Sequence, residues 1–393
     1  MVATAQLREL AAQRLRDRNR VYGAFFASES LGLASACERM AHRFLEGGRL
    51  LAFGRGVYAT DAQHVSVEFV HPVIVGKRAL PALDLSTLFR PWLEAIVQPQ
   101  DMVMGFGPPE GDTVVHAALQ HAQSRGAMTF ALPGTSGSYS FDCITPDAFP
   151  HQEMTEMLYH LLWETVHVFL ERKALGHDAG EAAFLYPFLA GQEQGVAGVV
   201  EEVAASIRMK VDDDARLRTR VADEQAEAIA AAVIAIRGRL ERGGKLIVFG
   251  NGGSATDAND FAIDCIMPPS GYRPVPAISL SLEPANITAL ANDVGTEVVF
   301  LRQLIAHARP EDVAIGISTS GGSRNIVAAL EEARRRGLLT VGLLGYDGGE
   351  IVRRGLADHA LIVRSDYIPR IQEVQASVYH IVRDLLEHTN AEN

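Results

Sequence analysis

The stretch GGKLIVFGNGGS at residues 243–254 decides the fold of this chain. Its centre, Lys245–Phe249, is a short apolar run, which predicts a buried β-strand. The glycine-rich segment 250–254 then leads into a helical pattern that begins near Ala255. Glycines let the backbone approach a ligand and a helix N-terminus offers free N–H groups, so the segment predicts an anion-binding loop. Taken alone, a capped tight turn is an equally good interpretation.

A closely similar stretch occurs earlier in the chain, and the similarity continues beyond it. The matching pairs are GGRLLAFG at 47–54 with GGKLIVFG at 243–250, PQDMVMG at 99–105 with PEDVAIG at 310–316, and QE followed by YH at 152–160 with the same pairs at 372–380. Collinear matches of this kind indicate a tandem duplication. We therefore predict two domains, copy one at residues 1–176 and copy two at 196–393, with a linker at 177–195.

Each copy alternates short apolar runs with helical patterns, which predicts an α/β domain. Five runs in each copy predict a five-stranded parallel sheet flanked by helices, with ligands at the carboxyl ends of the strands. The predicted strands are Leu50–Phe53, Ala82–Leu85, Met102–Phe106, Met128–Leu132 and Ser138–Phe141 in copy one, and Lys245–Phe249, Val275–Leu280, Val313–Ile317, Leu339–Leu344 and Ala360–Val363 in copy two.

The composition excludes several classes of protein. A chain of 393 residues with a net charge of −12 and 48% hydrophobic residues is typical of a globular protein with two or three domains. No apolar run approaches the roughly 18–20 residues of a membrane span, and the N-terminus has no secretory pattern. The three cysteines are too few and too widely spaced for a disulfide framework, which favours a cytoplasmic location. A pI near 5.6 without a basic block argues against a nucleic-acid partner.

A second loop of the same kind, STSGGS at 318–323, follows the predicted strand Val313–Ile317. Its four hydroxyls and two glycines predict a cradle for a phosphate monoester, and two such loops on successive strands favour a ligand over ordinary turns. The equivalent loop of copy one, at 107–112, has lost the hydroxyls and contains two prolines, which lack the N–H donor. Its Glu110 and Asp112 would repel a phosphate. The sequence therefore predicts phosphate binding in copy two alone.

These motifs together resemble those of a known family. FGNGGSATD at 249–257, the pair at 292–293, ISTSGGS at 317–323 and RIQE at 370–373 with His380 are similar to the sedoheptulose 7-phosphate isomerases (phosphoheptose isomerases) of the SIS fold. The resemblance covers nearly all of copy two and, more weakly, copy one. It implies interconversion of a ketoheptose phosphate and an aldoheptose phosphate, at zinc-containing sites near the subunit interfaces of a homotetramer. For a chain with two SIS domains it implies a homodimer that forms a four-SIS-domain assembly.

The resemblance also implies site residues. The implied substrate contacts, with Ser254 added from the first loop, are Asn251, Gly252, Gly253, Ser254, Asn292, Asp293, Ser318, Thr319, Ser320, Ser323 and Gln372. The implied metal ligands of copy one are His64, Glu68, Gln152 and His160, which is the full set of the family, whereas copy two has Asp260, Asp264, Gln372 and His380 at these positions. Pro369 also departs from the family, which has an acidic residue there.

The spacing of the copy-one residues suits a metal ion. Residues four apart share a helix face, and residues eight apart lie two turns apart, so two facing helices would offer four ligands to one zinc ion. Two amphipathic helices with polar residues at the sheet edge are the plain alternative. We predict about one Zn²⁺ per chain in copy one, because two aspartates in place of His and Glu give copy two a harder site that holds zinc less well.

The predicted reaction is conversion of sedoheptulose 7-phosphate to D-glycero-D-manno-heptose 7-phosphate. Such an aldose–ketose isomerisation needs a base that moves a proton between C1 and C2, an acid or metal at the carbonyl, and an anchor for the phosphate. The candidate base and acid are Asp264 and His380 in copy two, or Glu68 and His160 in copy one, and a composite site between the copies stays open. The alternatives are a non-catalytic phosphosugar sensor or adaptor of the SIS fold, and an isomerase for another phosphosugar.

Overall fold

The computed structural model describes residues 2–72, 77–175 and 196–388. The chain divides into two compact units, an N-terminal unit of residues 20–213 and a C-terminal unit of residues 1–19 with 214–393. The predicted linker at 177–195 lies outside the described residues.

The compact units divide the chain differently from the predicted boundaries of the two copies. Leu7 and Leu15 belong to the same buried core as Leu217 of the C-terminal unit. Val203 and Ile207 belong to the core of the N-terminal unit. Each unit therefore takes a helical segment that the repeat assigned to the other copy, because the apolar faces of those segments are buried there.

The N-terminal unit contains one parallel sheet. Its elements are α1 (Val2–Leu45, which begins in the other unit), β1 (Leu50–Gly54), α2 (Ala59–Val70), β2 (Ala82–Asp84), α3 (Phe89–Ile96), β3 (Met102–Phe106), α4 (Thr113–Ser124), β4 (Met128–Leu132), β5 (Tyr139–Ser140) and α5 (Ala148–Leu175). The five strands lie in the order β2-β1-β3-β4-β5, all parallel. Every residue of β1, β3 and β4 is buried, as expected for strands that are covered on both faces.

The C-terminal unit repeats this arrangement. Its elements are α6 (Val196–Leu240, which begins in the other unit), β6 (Leu246–Phe249), α7 (Gly253–Ile266), β7 (Ala277–Ser279), α8 (Pro284–Asp293), α9 (Val299–His307), β8 (Val313–Ser318), α10 (Arg324–Arg335), β9 (Leu339–Gly345), α11 (Gly349–Arg353), β10 (His359–Val363) and α12 (Ile368–His388). The parallel strands lie in the order β7-β6-β8-β9-β10, which matches the first sheet strand for strand. The prediction of two α/β domains with five-stranded parallel sheets is confirmed.

The repeated PxD motif has a structural role at the start of the third strand in each unit. Asp312 is 1% exposed, and its carboxylate accepts hydrogen bonds from the backbone N–H groups of Lys245 and Arg309 at 2.9 and 2.8 Å. Asp101 binds Arg49 and Gln98 in the same way at 3.0 and 2.9 Å. A buried carboxylate thus joins the beginnings of two neighbouring strands. The motif recurs because the fold requires it, and it does not itself belong to a ligand site.

The sheet of the C-terminal unit places the two glycine-rich loops side by side. β6 and β8 are neighbours, with Phe249 opposite Gly316, so the loops at 250–254 and 318–323 leave the same edge of the sheet. None of the helices in the described part of the chain combines the length and apolarity needed to cross a bilayer.

Candidate functional site

The loop after β6 is shaped by a close approach to the helix that follows it. A Cβ atom on Gly250 would lie 2.1 Å from the carbonyl oxygen of Ser254, so only glycine fits. Ser281 holds the same residue, accepting from its N–H at 3.2 Å and donating to its carbonyl at 3.0 Å. Helix α7 then begins at Gly253 without a side-chain cap. Its first N–H groups have no acceptor within the helix, which is the arrangement that binds anions.

The loop after β8 is folded by its own hydroxyls. Ser318, which is 3% exposed, accepts a hydrogen bond from the N–H of Gly321 at 3.1 Å. Ser320 accepts from the N–H of Gly322 at 3.2 Å. Both oxygens act as acceptors within the loop, so each hydroxyl proton can be donated elsewhere: that of Ser320 to a phosphate oxygen, and that of Ser318 to a phosphate oxygen or to the Oγ of Ser323.

Helix α10 starts directly after this second loop. Its N-cap residue, Ser323, makes no side-chain capping bond, and its Oγ lies 3.4 Å from the Oγ of Ser318. The site therefore combines two uncapped helix N-termini with several hydroxyl donors, which is suited to a phosphate group.

The other predicted substrate contacts lie on two further elements. Asn292 and Asp293 are exposed at the end of α8, where Asn292 donates to Asp293 at 2.8 Å. The structure gives this pair no hydrogen bond to either loop within the described ranges. Gln372 is buried on α12, and its Oε1 has no hydrogen-bond partner among the residues that the structure describes. Such a buried acceptor is costly unless a ligand or water satisfies it.

The predicted acid and base of the C-terminal unit lie together. Nε2 of His380 is 3.1 Å from Oδ2 of Asp264 and 3.3 Å from Oδ2 of Asp260. Tyr379 donates its hydroxyl to the same oxygen of Asp260 at 2.6 Å. All of these side chains are buried.

The electrostatics of this cluster suit proton transfer. Burial raises the pKa of the Asp264 carboxyl to about 6, the charge of Asp260 acts in the same direction, and the hydrogen bond with His380 opposes both. Asp264 is therefore ionised at neutral pH and close to the range that general bases use. Arg383 donates to the backbone carbonyl of Asp264 at 3.2 Å and helps to fix the residue on α7.

The N-terminal unit brings three of its four predicted metal ligands together. Nε2 of His64 lies 3.3 Å from Nε2 of His160 and 3.8 Å from Oε1 of Glu68. Oε2 of Glu68 is buried without a hydrogen-bond partner in the described part of the chain. The amide of Gln152 donates instead to Thr60 at 3.3 Å, and to Asp61.

The geometry and protonation of these residues fit zinc. Two nitrogens bound to a tetrahedral ion at about 2.0–2.1 Å lie about 3.3–3.4 Å apart, close to the observed separation of the imidazoles. Burial lowers the pKa of His64 to about 3, so its imidazole is neutral and able to bind a metal. Burial, followed by the charge of Glu164, raises the pKa of Glu68 to about 8. A buried carboxyl that is hard to ionise gains most from a nearby cation.

The loops of the N-terminal unit differ in chemistry from those of the C-terminal unit. Asp112 caps helix α4, its Oδ1 accepting from the N–H groups of Val114 and Val115 at 2.7 and 3.2 Å. Its other oxygen is 2.9 Å from a guanidinium nitrogen of Arg55. A carboxylate of the protein thus occupies the helix N-terminus that is open in α10.

A family model described as "SIS domain" matches residues 211–345. The phosphoheptose isomerase of Solidesulfovibrio magneticus is 41% identical over 189 residues, which cover 48% of this chain and 91% of that protein. The chain belongs to the phosphoheptose isomerase family. The phosphoheptose isomerase of a Geobacter species is similar at 42% identity, over 48% of this chain and 96% of the relative. The predicted resemblance to this family is confirmed, for about half of the chain.

Nearly the whole chain is similar in fold to one solved structure. The C-terminal domain of glucosamine-fructose-6-phosphate aminotransferase from Francisella tularensis covers 95% of this chain and 94% of its own, with a TM-score of 0.64. Its sequence identity is 8%, so the likeness shows the fold alone.

Three residues near the site were missed by sequence reasoning. Tyr379 binds Asp260, and Asn325 binds Asn251. Gln375 is fully buried on α12 with no hydrogen-bond partner for either amide atom within the described residues. A polar residue in an otherwise apolar helix face was the available signal for Gln375, whereas the two pairings join residues distant in sequence and leave no local pattern.

Proposed function

We propose that this protein is an aldose–ketose isomerase of sugar phosphates that converts sedoheptulose 7-phosphate to D-glycero-D-manno-heptose 7-phosphate. The observation that carries the proposal is the combination, in one compact unit, of two phosphate-type loops on neighbouring strands and a buried carboxylate–imidazole pair. Membership in the phosphoheptose isomerase family supports the choice of substrate.

The loops would hold the phosphate. The hydroxyls of Ser318 and Ser320 donate to its oxygens, and the first N–H groups of α7 and α10 add the favourable field of two helix N-termini. Anchoring the phosphate converts the proton transfers at the other end of the sugar into reactions within one complex. Gln372, with its buried unpartnered oxygen, would accept a hydrogen bond from a sugar hydroxyl.

Asp264 and His380 would move the protons. In the ketose, the carboxylate of Asp264 removes a proton from C1 while His380 donates a proton to the carbonyl oxygen on C2, giving an ene-diol. Asp264 then returns its proton to C2, and His380 takes the proton from the oxygen on C1, which becomes the aldehyde. The base and the acid both regain their starting protonation states, and no oxidant is consumed.

The residues His64, Glu68 and His160, with Gln152 as the fourth ligand, would hold a zinc ion in the N-terminal unit. A bound zinc ion supplies a Lewis acid that polarises oxygen atoms, or a rigid cross-link between helices. Helix α2 positions His64 and Glu68, and helix α5 positions His160.

A second candidate function is a non-catalytic phosphosugar-binding protein. The observation in its favour is that Asp264, His380 and Asp260 are all buried and satisfied by one another, as in a structural core. Asp264 is also one methylene shorter than the family's glutamate, and a misplaced base of that order costs about 10²-fold in rate. Such a protein would keep the phosphate loops and lose turnover.

The variant Asp264→Asn separates the two functions. We expect wild-type protein to bind sedoheptulose 7-phosphate in calorimetry and to consume it in a ketose-specific assay, whereas the variant binds with a similar Kd and turns over at least about 10²-fold more slowly. Asp112→Ala, in the loop of the other unit, serves as the control and should retain both properties. Binding without turnover in the wild-type protein would favour the non-catalytic function, and the absence of binding would contradict both.

A further inference from the structure

The two phosphate-type loops of the C-terminal unit are joined by a reciprocal pair of amides. Nδ2 of Asn251 donates to Oδ1 of Asn325 at 2.9 Å, and Nδ2 of Asn325 donates to Oδ1 of Asn251 at 2.8 Å. Asn251 lies in the loop after β6, and Asn325 is the second residue of α10, 74 positions later. The pair therefore spans the mouth of the proposed phosphate site.

The orientation of both amides is fixed by the backbone of α10. The N–H of Ile326 donates to Oδ1 of Asn325 at 3.0 Å, so the oxygen of Asn325 must face that N–H. Oxygen and nitrogen of an amide cannot exchange positions without breaking this bond. Because Oδ1 of Asn325 also accepts from Asn251, the nitrogen of Asn251 is fixed toward it. One N–H and one lone pair of Asn251 are then left for a ligand.

In the N-terminal unit the corresponding two loops are joined by a different pair of side chains, which is charged. Arg55 stands at the repeat position of Asn251, and it pairs with Asp112 at the start of α4 at 2.9 Å. The same two loops are thus held together in both units. In the N-terminal unit the pair places a carboxylate at the helix N-terminus, whereas in the C-terminal unit the pair is neutral and takes the N–H of Ile326, and the N-cap residue Ser323 makes no capping bond.

We propose that Asn325 is a positioning residue for the sugar-phosphate site, which fixes the loop after β6 and presents one N–H of Asn251 to the bound ligand. The inference rests on the proposed function. It assigns Asn325 no contact with the reacting atoms, so its effect falls on substrate binding and leaves the proton transfers at Asp264 unchanged.

The test is a double-mutant cycle with Asn251→Ala and Asn325→Leu. Leucine has a similar size and forms no hydrogen bonds, so Asn251 loses its fixed orientation. We expect the Kd and KM for sedoheptulose 7-phosphate to rise about tenfold, the effect of one lost hydrogen bond of ordinary strength, with kcat within about twofold of wild type. The double variant should bind as Asn251→Ala does, because Asn325 acts through that residue.

A second substitution of Asn325 and a control substitution in the N-terminal unit test whether the effect is specific. Asn325→Ala removes the acceptor for Asn251 without adding bulk or charge, and alanine is well tolerated in a helix, so the variant should fold and should also bind at least about tenfold more weakly. Arg55→Leu breaks the equivalent pair in the N-terminal unit and should leave KM unchanged.

The outcomes distinguish this inference from the proposed function. If wild-type protein shows no affinity for the sugar phosphate, the proposed function and this inference fail together. If wild type binds and either Asn325 variant binds equally well, or if the losses of the cycle add, the positioning role alone is overturned. A loss of kcat with unchanged KM in Asn325→Leu would also overturn it.

Discussion

Replacing Ser318 by alanine tests the phosphate loop, and the structure separates two effects of the change. We expect the hydroxyl to donate to the phosphate, and a hydrogen bond to a charged group contributes about 1.5–3 kcal/mol, so affinity for the sugar phosphate should fall about 10- to 150-fold. The oxygen also accepts from the N–H of Gly321 in a buried position. Its loss should lower the free energy of unfolding by about 1–2 kcal/mol.

Ser320→Ala is the matched variant, because its oxygen accepts from Gly322 at an exposed position. It should lose comparable affinity with little loss of stability, and the double variant with Ser318→Ala should lose about 10²- to 10⁴-fold. Calorimetric titration with sedoheptulose 7-phosphate measures the affinity, and urea unfolding measures the stability. Asp112→Ala in the N-terminal unit should leave the affinity unchanged. An equal loss of affinity in Asp112→Ala would refute phosphate binding by the C-terminal unit alone.

Further outcomes follow from the same geometry. Protein purified without chelator should carry about one zinc-like ion per chain in elemental analysis. His64→Ala should remove most of this metal, whereas Asp260→Ala should not. The absence of any transition metal would contradict the metal centre. Because Asp264 must be ionised to act as a base, kcat/KM should fall as the pH drops through about 6. Asp260→Asn removes a negative neighbour and should move this acidic limb of the pH profile to lower pH. An acidic limb that stays in place would contradict the role of Asp264. Asp312→Ala should cost about 3 kcal/mol of stability in urea unfolding, since it leaves buried backbone N–H groups without acceptors, and a change below 1 kcal/mol would show that the tie is dispensable. Sedimentation should give a homodimer of twice 42.5 kDa, and a stable monomer at micromolar concentration would count against the four-domain assembly.

The sheets and loops could be predicted from the sequence because their signals are local. Buried parallel strands such as Leu246–Phe249 are continuous apolar runs in the sequence, and glycines with hydroxyl residues directly after them mark the strand-to-helix loops. Because the repeat is collinear, the strands predicted in one copy also predict the strands of the other. Asp264 and His380 lie close together as their spacing on two helices suggested, with 3.1 Å between Oδ2 and Nε2.

The features that could not be predicted depend on contacts between distant parts of the chain. Helix α1 runs without interruption from Val2 to Leu45, so no break in the helix marks the residue at which it passes from one unit to the other. The amide pair between Asn251 and Asn325 joins residues on different elements, and the donor role of Gln152 toward Thr60 depends on the packing of α2 against α5. Periodicity identifies the face on which a side chain lies, and it leaves the partner on the opposing element undetermined.

The central claim is tested most directly by incubating the wild-type protein with sedoheptulose 7-phosphate in deuterated water and following the sugar by NMR. Proton transfer between C1 and C2 through an exchanging carboxyl should give an aldoheptose 7-phosphate that carries deuterium at C2, together with exchange at C1 of the remaining ketose. We expect both signals in the wild type and neither in Asp264→Asn. Sugar phosphate that binds to the wild-type protein and stays unconverted and unlabelled at both carbons would contradict it.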